Sequence, residues 1–267
     1  MVVATHCPHI SPLVEPACRR MDAWGDALKN KAIAAKPVSQ QPYLPASPRS
    51  VMLRGMMKLY NFFRSSASYR VRIALALKGL PYTYMPVHLL RGDHKKPEFA
   101  ALSADGFVPL LQDGEAYLSQ SMAIIEYIDE THPAPPLLPQ DPVGRAQVRA
   151  LAQSVACDIH PLNNLRVLKY LVRELKLSED AKNDWYRHWC REGFLSLERQ
   201  LQRSPAGAFC HGDSPSLADC CLVPQVVNAQ RLEVDFQGLD RIQAIFEACM
   251  RLEAFQAADP SRCPDAE

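Results

Sequence analysis

The chain has no excess of charge of either sign and no long apolar run. Its 30 Lys and Arg residues nearly balance its 29 Asp and Glu residues, which gives a formal net charge of +1. A near-neutral chain has no electrostatic reason to bind nucleic acid or an anionic membrane. No apolar stretch approaches the roughly 20 residues that a membrane-spanning helix needs. We therefore expect neither a nucleic-acid partner nor a membrane.

The sequence also lacks the paired cysteines of a disulfide framework, a zinc site or a thiol–disulfide motif. Its nine cysteines are odd in number and scattered, and none stands in a Cys-x-x-Cys arrangement. This pattern is typical of reduced thiols in a cytosol. We therefore expect a cytoplasmic protein. Because we find no metal-ligand spacing, we expect no metal.

What is present is the composition of an ordinary globular protein. Of the 267 residues, 48% are hydrophobic and 22% are charged, and the length suits one large or two modest domains. The beginning differs from the rest, because prolines punctuate a stretch of Ser, Gln and Ala. We expect residues 1–56 to be a disordered extension.

The most informative stretch is a short strand that turns abruptly into a helix. Residues 58–63 are rich in aromatic side chains, as a strand is, and residues 71–77 have the apolar content of a buried helix. Ser65 and Ser66 lie between them, at the N-terminus of that helix. Such a terminus carries unpaired N–H groups and about half a positive charge, so it binds anions, including a thiolate. Arg64 adds positive charge there, although the serines alone also fit plain helix caps.

The pattern that follows predicts an alternation of strands and helices. A second strand falls at residues 81–89 and a third at 107–111, Asp113-Gly114 is a hairpin turn signal, and a helix covers 122–131. The order of strand, helix, strand, hairpin and helix fits a thioredoxin-like domain.

Helices dominate the remainder of the chain. The apolar spacing predicts helix over residues 145–175, and we expect a break at His160-Pro161 because proline interrupts a helix. The long helix over 178–201 should bury a set of apolar side chains at core spacing, namely Trp185, Trp189, Phe194 and Leu197.

Two further features predict where the later helices lie. Ser216 and Asp219 stand in a capping-box arrangement, which predicts a helix that begins at Leu217. A last helix is expected over residues 240–258. We assign Ser216 and Asp219 a structural role only.

The strand-to-helix stretch resembles a known family signature. Residues 65–75 read Ser-Ser-Ala-Ser-Tyr-Arg-Val-Arg-Ile-Ala-Leu, which is similar to the Ser-Ser-Cys-Ser-x-Arg-Val-Arg-Ile-Ala-Leu of zeta-class glutathione transferases, the maleylacetoacetate and maleylpyruvate isomerase family. The likeness runs from about residue 57 to near the C-terminus. It implies a thioredoxin-like glutathione-binding domain at 57–138, an all-helical substrate domain at 139–267, and a homodimer.

The resemblance implies glutathione as the cofactor. Ala67 replaces the family's usual Cys, so the nucleophile must come from a ligand, whose sulfur the serines would polarise. The family likeness also implies a cis peptide bond before Pro109. The residues that it implies as glutathione-binding are Ser65, Ser66, His94, Val108, Pro109, Gln120, Ser121, His160 and Asn164.

The resemblance implies a catalytic set of Arg64, Ser65, Ser66 and Arg231. Arginine binds carboxylates through two parallel hydrogen bonds, and maleyl diketo acids are dicarboxylates. For Arg231 the alternative is a solvated arginine at a helix C-terminus. The implied activity is glutathione-dependent cis–trans isomerisation of maleylacetoacetate to fumarylacetoacetate, or of maleylpyruvate to fumarylpyruvate, in the breakdown of aromatic amino acids or aromatic acids.

Three questions stay open at this point. His160 resembles bacterial maleylpyruvate isomerases more than animal relatives, which carry Gln, but this does not decide the substrate. Glutathione transfer or reductive dehalogenation of halogenated organic acids is a second activity, although dehalogenation uses the cysteine that Ala67 replaces. A non-catalytic glutathione-binding or assembly module is the third interpretation, since fold alone does not fix function.

Overall fold

The structure, a computed structural model, describes residues 56–205 and 207–267. The expected disordered extension therefore lies, except for Met56, outside the described residues. The strands and helices are, in chain order, β1 (Met57–Asn61), α1 (Ser66–Leu77), β2 (Tyr82–Pro86), a 3-10 turn (Asp93–Lys95), α2 (Pro97–Ala100), β3 (Leu110–Asp113), β4 (Ala116–Ser119), α3 (Ser121–Thr131), α4 (Pro142–Gln153), a π-helical turn (Ser154–Ile159), α5 (His160–Leu162), α6 (Leu165–Arg173), α7 (Glu179–Leu201), α8 (Leu217–Arg231), α9 (Asp240–Met250), α10 (Glu253–Ala257) and a 3-10 turn (Pro260–Arg262).

A four-stranded mixed sheet occupies the first part of the described chain. Its order is β2-β1-β3-β4, in which β1 pairs parallel with β2 and antiparallel with β3, and β3 and β4 form a hairpin. Leu59 of β1 and Ile124 of α3 are completely buried, as is Val71 of α1. The predicted order of strand, helix, strand, hairpin and helix is confirmed, and helices follow for the rest of the chain.

The first helix buries two arginines. Arg72 donates three hydrogen bonds, from Nε to Ala258 O at 3.0 Å, from Nη1 to Asn61 Oδ1 at 3.1 Å and from Nη2 to Phe63 O at 3.1 Å. A buried guanidinium is tolerated when its donors are paired in this way. These bonds join the end of β1, the start of α1 and the C-terminal segment.

The helix α8 forms the centre of the helical part. It begins at Leu217, as the capping box predicts, with Asp219 Oδ2 accepting from Ser216 N at 2.8 Å and from Ser216 Oγ at 2.7 Å. The other oxygen, Oδ1, accepts from Cys210 N at 2.9 Å. The Asp219 carboxylate is therefore a structural acceptor. Among the described residues no helix is long and apolar enough to cross a membrane.

We expected the helix to break at His160-Pro161, but the helical path continues through both residues to Leu162. The chain passes through the π-helical turn, in which His160 N–H bonds to Val155 O, and the helical path ends only after Leu162. The wider turn precedes a proline, which lacks the N–H that a regular α-helix would use. A Cβ on Gly193 of α7 would lie 2.3 Å from Ile159 Cγ1. This close approach fixes the segment that carries His160.

Two other expectations about the helices need correction. In α7 the buried face is Tyr186, Cys190, Phe194 and Leu197, while Trp185 and Trp189 stay partly exposed beside it. The last helix is not continuous, because α9 ends at Met250 and α10 starts at Glu253. Gln256 Nε2 donates to Met250 O at 2.8 Å, so a side chain satisfies a carbonyl at the end of α9.

The connector between the two parts is held by a buried lysine. Lys78 Nζ lies 2.6 Å from Asp129 Oδ1, 2.7 Å from His132 O and 2.5 Å from Pro135 O. The same Asp129 oxygen accepts from Leu137 N at 2.8 Å. All three donors of the ammonium group are thus used, and the proline-rich connector has a fixed path.

We predict that Lys78→Met destabilises the protein by about 3–5 kcal/mol, because it leaves the Asp129 carboxylate without its buried partner. Urea unfolding followed by circular dichroism measures the loss. Lys96→Met is the control, since Lys96 pairs with Asp93 at the surface, where removal of an ion pair costs little. Equal effects of the two substitutions would contradict the structural role of Lys78.

Candidate active site

A cavity of about 510 Å³ lies where the N-terminus of α1 meets the helices of the second part. This volume is within the range of small-molecule sites in proteins. Among the described residues that line it there is no Asp or Glu, and six have basic side chains: Arg64, Lys95, Arg166, Lys169, Lys182 and Arg231. A cavity with this lining attracts and holds anions.

The cavity brings together most of the site residues that the sequence indicated. The lining includes Arg64, Ser65, Ser66, His94, Val108, His160, Asn164 and Arg231. Three others, Pro109, Gln120 and Ser121, are not among the lining residues. Pro109 follows Val108 directly, and the Val108–Pro109 peptide bond is cis, as the family likeness implied.

The two serines at the start of α1 have different hydrogen-bond partners. Ser65 is the N-cap, and its Oγ accepts from Ser68 N at 3.2 Å, so this residue caps the helix and its hydroxyl proton is left for another acceptor. Ser66 is the first residue of the helix, is 6% exposed, and has its Oγ 3.1 Å from His160 Nδ1. Both hydroxyls line the cavity beside backbone N–H groups that have no acceptor within the helix.

His160 stands in the cavity wall as a neutral ring. Burial of the imidazole, followed by the charges of Arg70 and Arg166, lowers its pKa from 6.5 to about 3. Its Nε2 lies 3.3 Å from Asn164 Nδ2, so both ring nitrogens have a partner. Because the free base is the stable form well below neutral pH, His160 adds no charge to the cavity.

The buried Arg70 connects the serine turn to the start of α3. Its Nη1 donates to Ser121 Oγ at 3.2 Å, which leaves the Ser121 hydroxyl proton free for another acceptor. Arg70 Nε and Nη2 have no hydrogen-bond partner among the described residues. Gln120, just before α3, has a positive φ of 68°. Strained backbone of this kind costs of order 1–3 kcal/mol and clusters at functional sites.

Two arginines from different elements act on each other across the cavity. Arg64 follows β1, and Arg231 is the last residue of α8. The pKa of Arg231 is lowered, first by burial and then by the charge of Arg64. Two like charges placed this way repel each other, and an anion bound near both relieves the repulsion.

Three cationic residues of the cavity were not predicted from the sequence, namely Arg166, Lys169 and Lys182. Arg166 and Lys169 project from one face of α6, three residues apart, and the Arg166 guanidinium carbon lies 5.3 Å from the centre of the Phe107 ring. The signal that was available is the position of Arg166, two residues after Asn164. Lys182 of α7 also lines the cavity and forms an ion pair with Glu179.

The arrangement suits chemistry on a bound anion that brings its own reactive group. The cavity offers hydroxyl and N–H donors and fixed positive charge, and no described cysteine is among its lining residues. Within the described part of the chain, no group of three or more His, Cys, Asp or Glu side chains could hold a metal ion.

Comparisons with known proteins agree with this geometry. The family described as "Glutathione S-transferase, N-terminal domain" matches residues 55–130. A probable maleylacetoacetate isomerase from Vibrio cholerae is 50% identical over 210 residues, which are 78% of this chain and 97% of that protein.

Two solved structures are similar over nearly their whole length. One is a holo structure of a maleyl pyruvate isomerase, described as a bacterial glutathione S-transferase of the zeta class, with a TM-score of 0.77 and 48% identity over 79% of this chain and 100% of that one. The other is a maleylacetoacetate isomerase from Anaeromyxobacter dehalogenans with glutathione bound in its active site, with a TM-score of 0.73 and 42% identity over 79% and 98% of the two chains.

The thioredoxin-like sheet, the helical part and the cationic cavity at a helix N-terminus together define a protein of the glutathione transferase type. The chain belongs to the zeta class of the glutathione S-transferase family, as its identity to these full-length relatives shows.

Proposed function

We propose that the protein is a glutathione-dependent cis–trans isomerase of a maleyl diketo acid. The observation that carries this proposal is the cavity itself, in which six cationic side chains and two serine hydroxyls face a space without a described carboxylate. A tripeptide with two carboxylates and a thiolate, together with a dicarboxylic substrate, is matched in charge to that lining.

The residues present fit glutathione. Arg70 is buried with Nε and Nη2 unpartnered among the described residues, and it leaves the Ser121 hydroxyl free to donate. We assign the γ-glutamyl carboxylate to Ser121 and Gln120 at the N-terminus of α3. The cysteinyl backbone is assigned to Val108, which lines the cavity directly ahead of the cis Pro109.

Five further residues complete the proposed glutathione site. The sulfur is assigned to Ser65 and Ser66, at the start of α1. His94, whose Nδ1 has no partner among the described residues, is assigned to the glycine end of the tripeptide. His160 and Asn164 are assigned to the side of the cavity that faces Ser66, since His160 Nδ1 lies 3.1 Å from Ser66 Oγ and Asn164 Nδ2 lies 3.3 Å from His160 Nε2.

Held at Ser65 and Ser66, glutathione would supply the thiolate for a reversible addition to the cis double bond, which is the chemistry that cis–trans isomerisation requires. Hydroxyl and N–H donors of the protein stabilise the thiolate form of glutathione and thereby lower the pKa of its thiol. Arg64 and the helix terminus stabilise the negative charge that develops on the substrate carbonyl oxygen. No side chain of the protein has to form a covalent bond.

Arg64, Arg231 and Arg166 are the proposed partners of the substrate carboxylates. They come from the turn after β1, the end of α8 and the start of α6, and all three line the cavity. Arginine binds carboxylates through paired hydrogen bonds and stays charged at working pH. Carboxylates at two ends of one substrate would thus hold its double bond at a fixed place.

The two substrates and the other activities are separable by experiment. Maleylacetoacetate and maleylpyruvate isomerases both occur among the relatives. Reductive dehalogenation needs a second thiol, and no described cysteine is among the residues lining the cavity, which disfavours it. A non-catalytic binding module would need no convergent arginines.

Domain boundaries, assembly and location are also part of the proposal. A glutathione-binding domain at 57–138 and a substrate domain at 139–267 are supported by the connector that Lys78 holds at Pro135. A homodimer is supported by membership of the zeta class. A cytoplasmic location is supported by the free cysteines, of which only Cys157 is exposed among those described.

The proposal predicts that maleylpyruvate, maleylacetoacetate or both are converted to the trans isomer only when glutathione is present. Each substrate is incubated with the protein with and without glutathione, and the product is followed by absorbance. The faster substrate identifies the activity. Retention on immobilised glutathione without any turnover would instead support the binding module, and equal rates without glutathione would reject the proposal.

The proposed role of Arg231 predicts that Arg231→Ala raises KM for the maleyl substrate by roughly 10- to 100-fold, the loss expected for one charged hydrogen-bond pair. Steady-state kinetics at saturating glutathione measures it. Arg251→Ala is the matched control, because Arg251 is an exposed arginine near a helix end, like Arg231, but lies outside the cavity lining. An unchanged KM in Arg231→Ala would remove this residue from the substrate site.

A further inference from the structure

We propose that Asn164 and His160 are positioning residues that turn the hydroxyl proton of Ser66 into the cavity, toward the sulfur of the bound tripeptide. The inference rests on the proposed function, because it takes glutathione as the ligand. The two residues form a directed chain of hydrogen bonds that ends at Ser66, so they act through that hydroxyl.

The direction of the hydrogen bonds is set first at Asn164. This residue is the N-cap of α6, and its Oδ1 accepts from Arg166 N at 3.1 Å. A backbone N–H can only donate, so the atom that faces it must be the amide oxygen. The amide nitrogen therefore faces His160 Nε2, at 3.3 Å. That nitrogen can only donate, so Nε2 must accept.

The second step is the protonation of the His160 ring. The charged groups that act on it are Arg70 from α1 and Arg166 from α6, both cations, and with burial they lower its pKa to about 3. The ring therefore carries a single proton near neutral pH. Since Nε2 accepts from Asn164, that proton is on Nδ1, because the bond made by one ring nitrogen decides the state of the other.

The third step transfers this direction to Ser66. His160 Nδ1 lies 3.1 Å from Ser66 Oγ, and a protonated Nδ1 donates to that oxygen. A serine hydroxyl that accepts here keeps its own proton for a different acceptor. Ser66 lines the cavity at the start of α1. Its proton is thus available to an anion in the cavity.

The reverse direction would have the opposite effect on the ligand. With the proton on Nε2, the unprotonated Nδ1 would accept from Ser66, and the hydroxyl would present only lone pairs to the cavity. Lone pairs repel a thiolate, whereas a donated hydrogen bond stabilises it and lowers the thiol pKa. A hydrogen bond to a charged group corresponds to a pKa shift of roughly one to two units.

The first test is made on the protein without any ligand. Nitrogen-15 NMR of the histidine rings separates protonated from unprotonated nitrogens, and the signals lost in His160→Gln identify His160. We expect a neutral ring with its proton on Nδ1. Asn164→Ser keeps an N-cap oxygen for Arg166 N but is too short to donate to Nε2, so part of the proton should move to Nε2.

The second test measures the pKa of bound glutathione from the ultraviolet absorbance of its thiolate. We expect Ser66→Ala to raise this pKa by roughly one to two units and Asn164→Ser to raise it by up to about one unit. In the Ser66→Ala background, Asn164→Ser should have no further effect, because the hydroxyl on which it acts is gone.

Three results would overturn the inference: a wild-type His160 proton on Nε2, no rise in the thiol pKa with Asn164→Ser, or an equal rise in the Ser66→Ala background. Failure of wild-type protein to bind glutathione would reject the proposed function instead. The NMR measurement on the ligand-free protein still decides the direction of the chain in that case.

Discussion

Arg70 and Arg72 are both buried on α1, and each must satisfy its N–H donors away from water. Each of the three Arg72 guanidinium nitrogens has a partner, in the Ala258 and Phe63 carbonyls and Asn61, which fixes the strand-to-helix turn against the C-terminal segment. Arg70 donates to Ser121 and keeps Nε and Nη2 without a partner among the described residues. Leaving a buried cation so incompletely paired costs several kcal/mol. Burial of the imidazole, together with this charge, keeps His160 neutral, and the same charge favours an anion nearby.

Two electrostatic effects act on an anion in the site, a broad positive potential and directed hydrogen bonds from neutral donors. The six cations of the lining supply a broad positive potential, which concentrates anions and favours ionised acids wherever they sit in the cavity. Neutral donors fix the position of a bound anion, since Ser65, Ser66 and the first N–H groups of α1 all lie at the N-terminus of that helix and have fixed directions. A carboxylate base on the protein would add negative charge and oppose the first effect. A neutral His160 between two hydrogen bonds avoids that cost.

Features of the fold and site that depend on neighbouring residues could be predicted from the sequence, whereas those that depend on contacts between distant residues could not. The start of α8 at Leu217 was predicted because a capping box involves only neighbouring residues. The helical path passes Pro161, and the π-helical turn before it brings Ile159 close to Gly193 of a helix distant in sequence, a contact that no local pattern predicts. In α7 the spacing of the apolar residues was correct, but Trp185 lies beside the buried face, which is set by what packs against it. The convergence of Arg166 with Arg64 likewise exists only in three dimensions.

The central claim is that the reactive sulfur belongs to the ligand and that the protein only polarises it. The most direct measurement uses γ-glutamyl-alanyl-glycine, the tripeptide in which alanine replaces cysteine, in place of glutathione. The account predicts that this analogue competes with glutathione for the cavity and supports no isomerisation of either maleyl substrate. Isomerisation at the glutathione-supported rate with the sulfur-free analogue would contradict it.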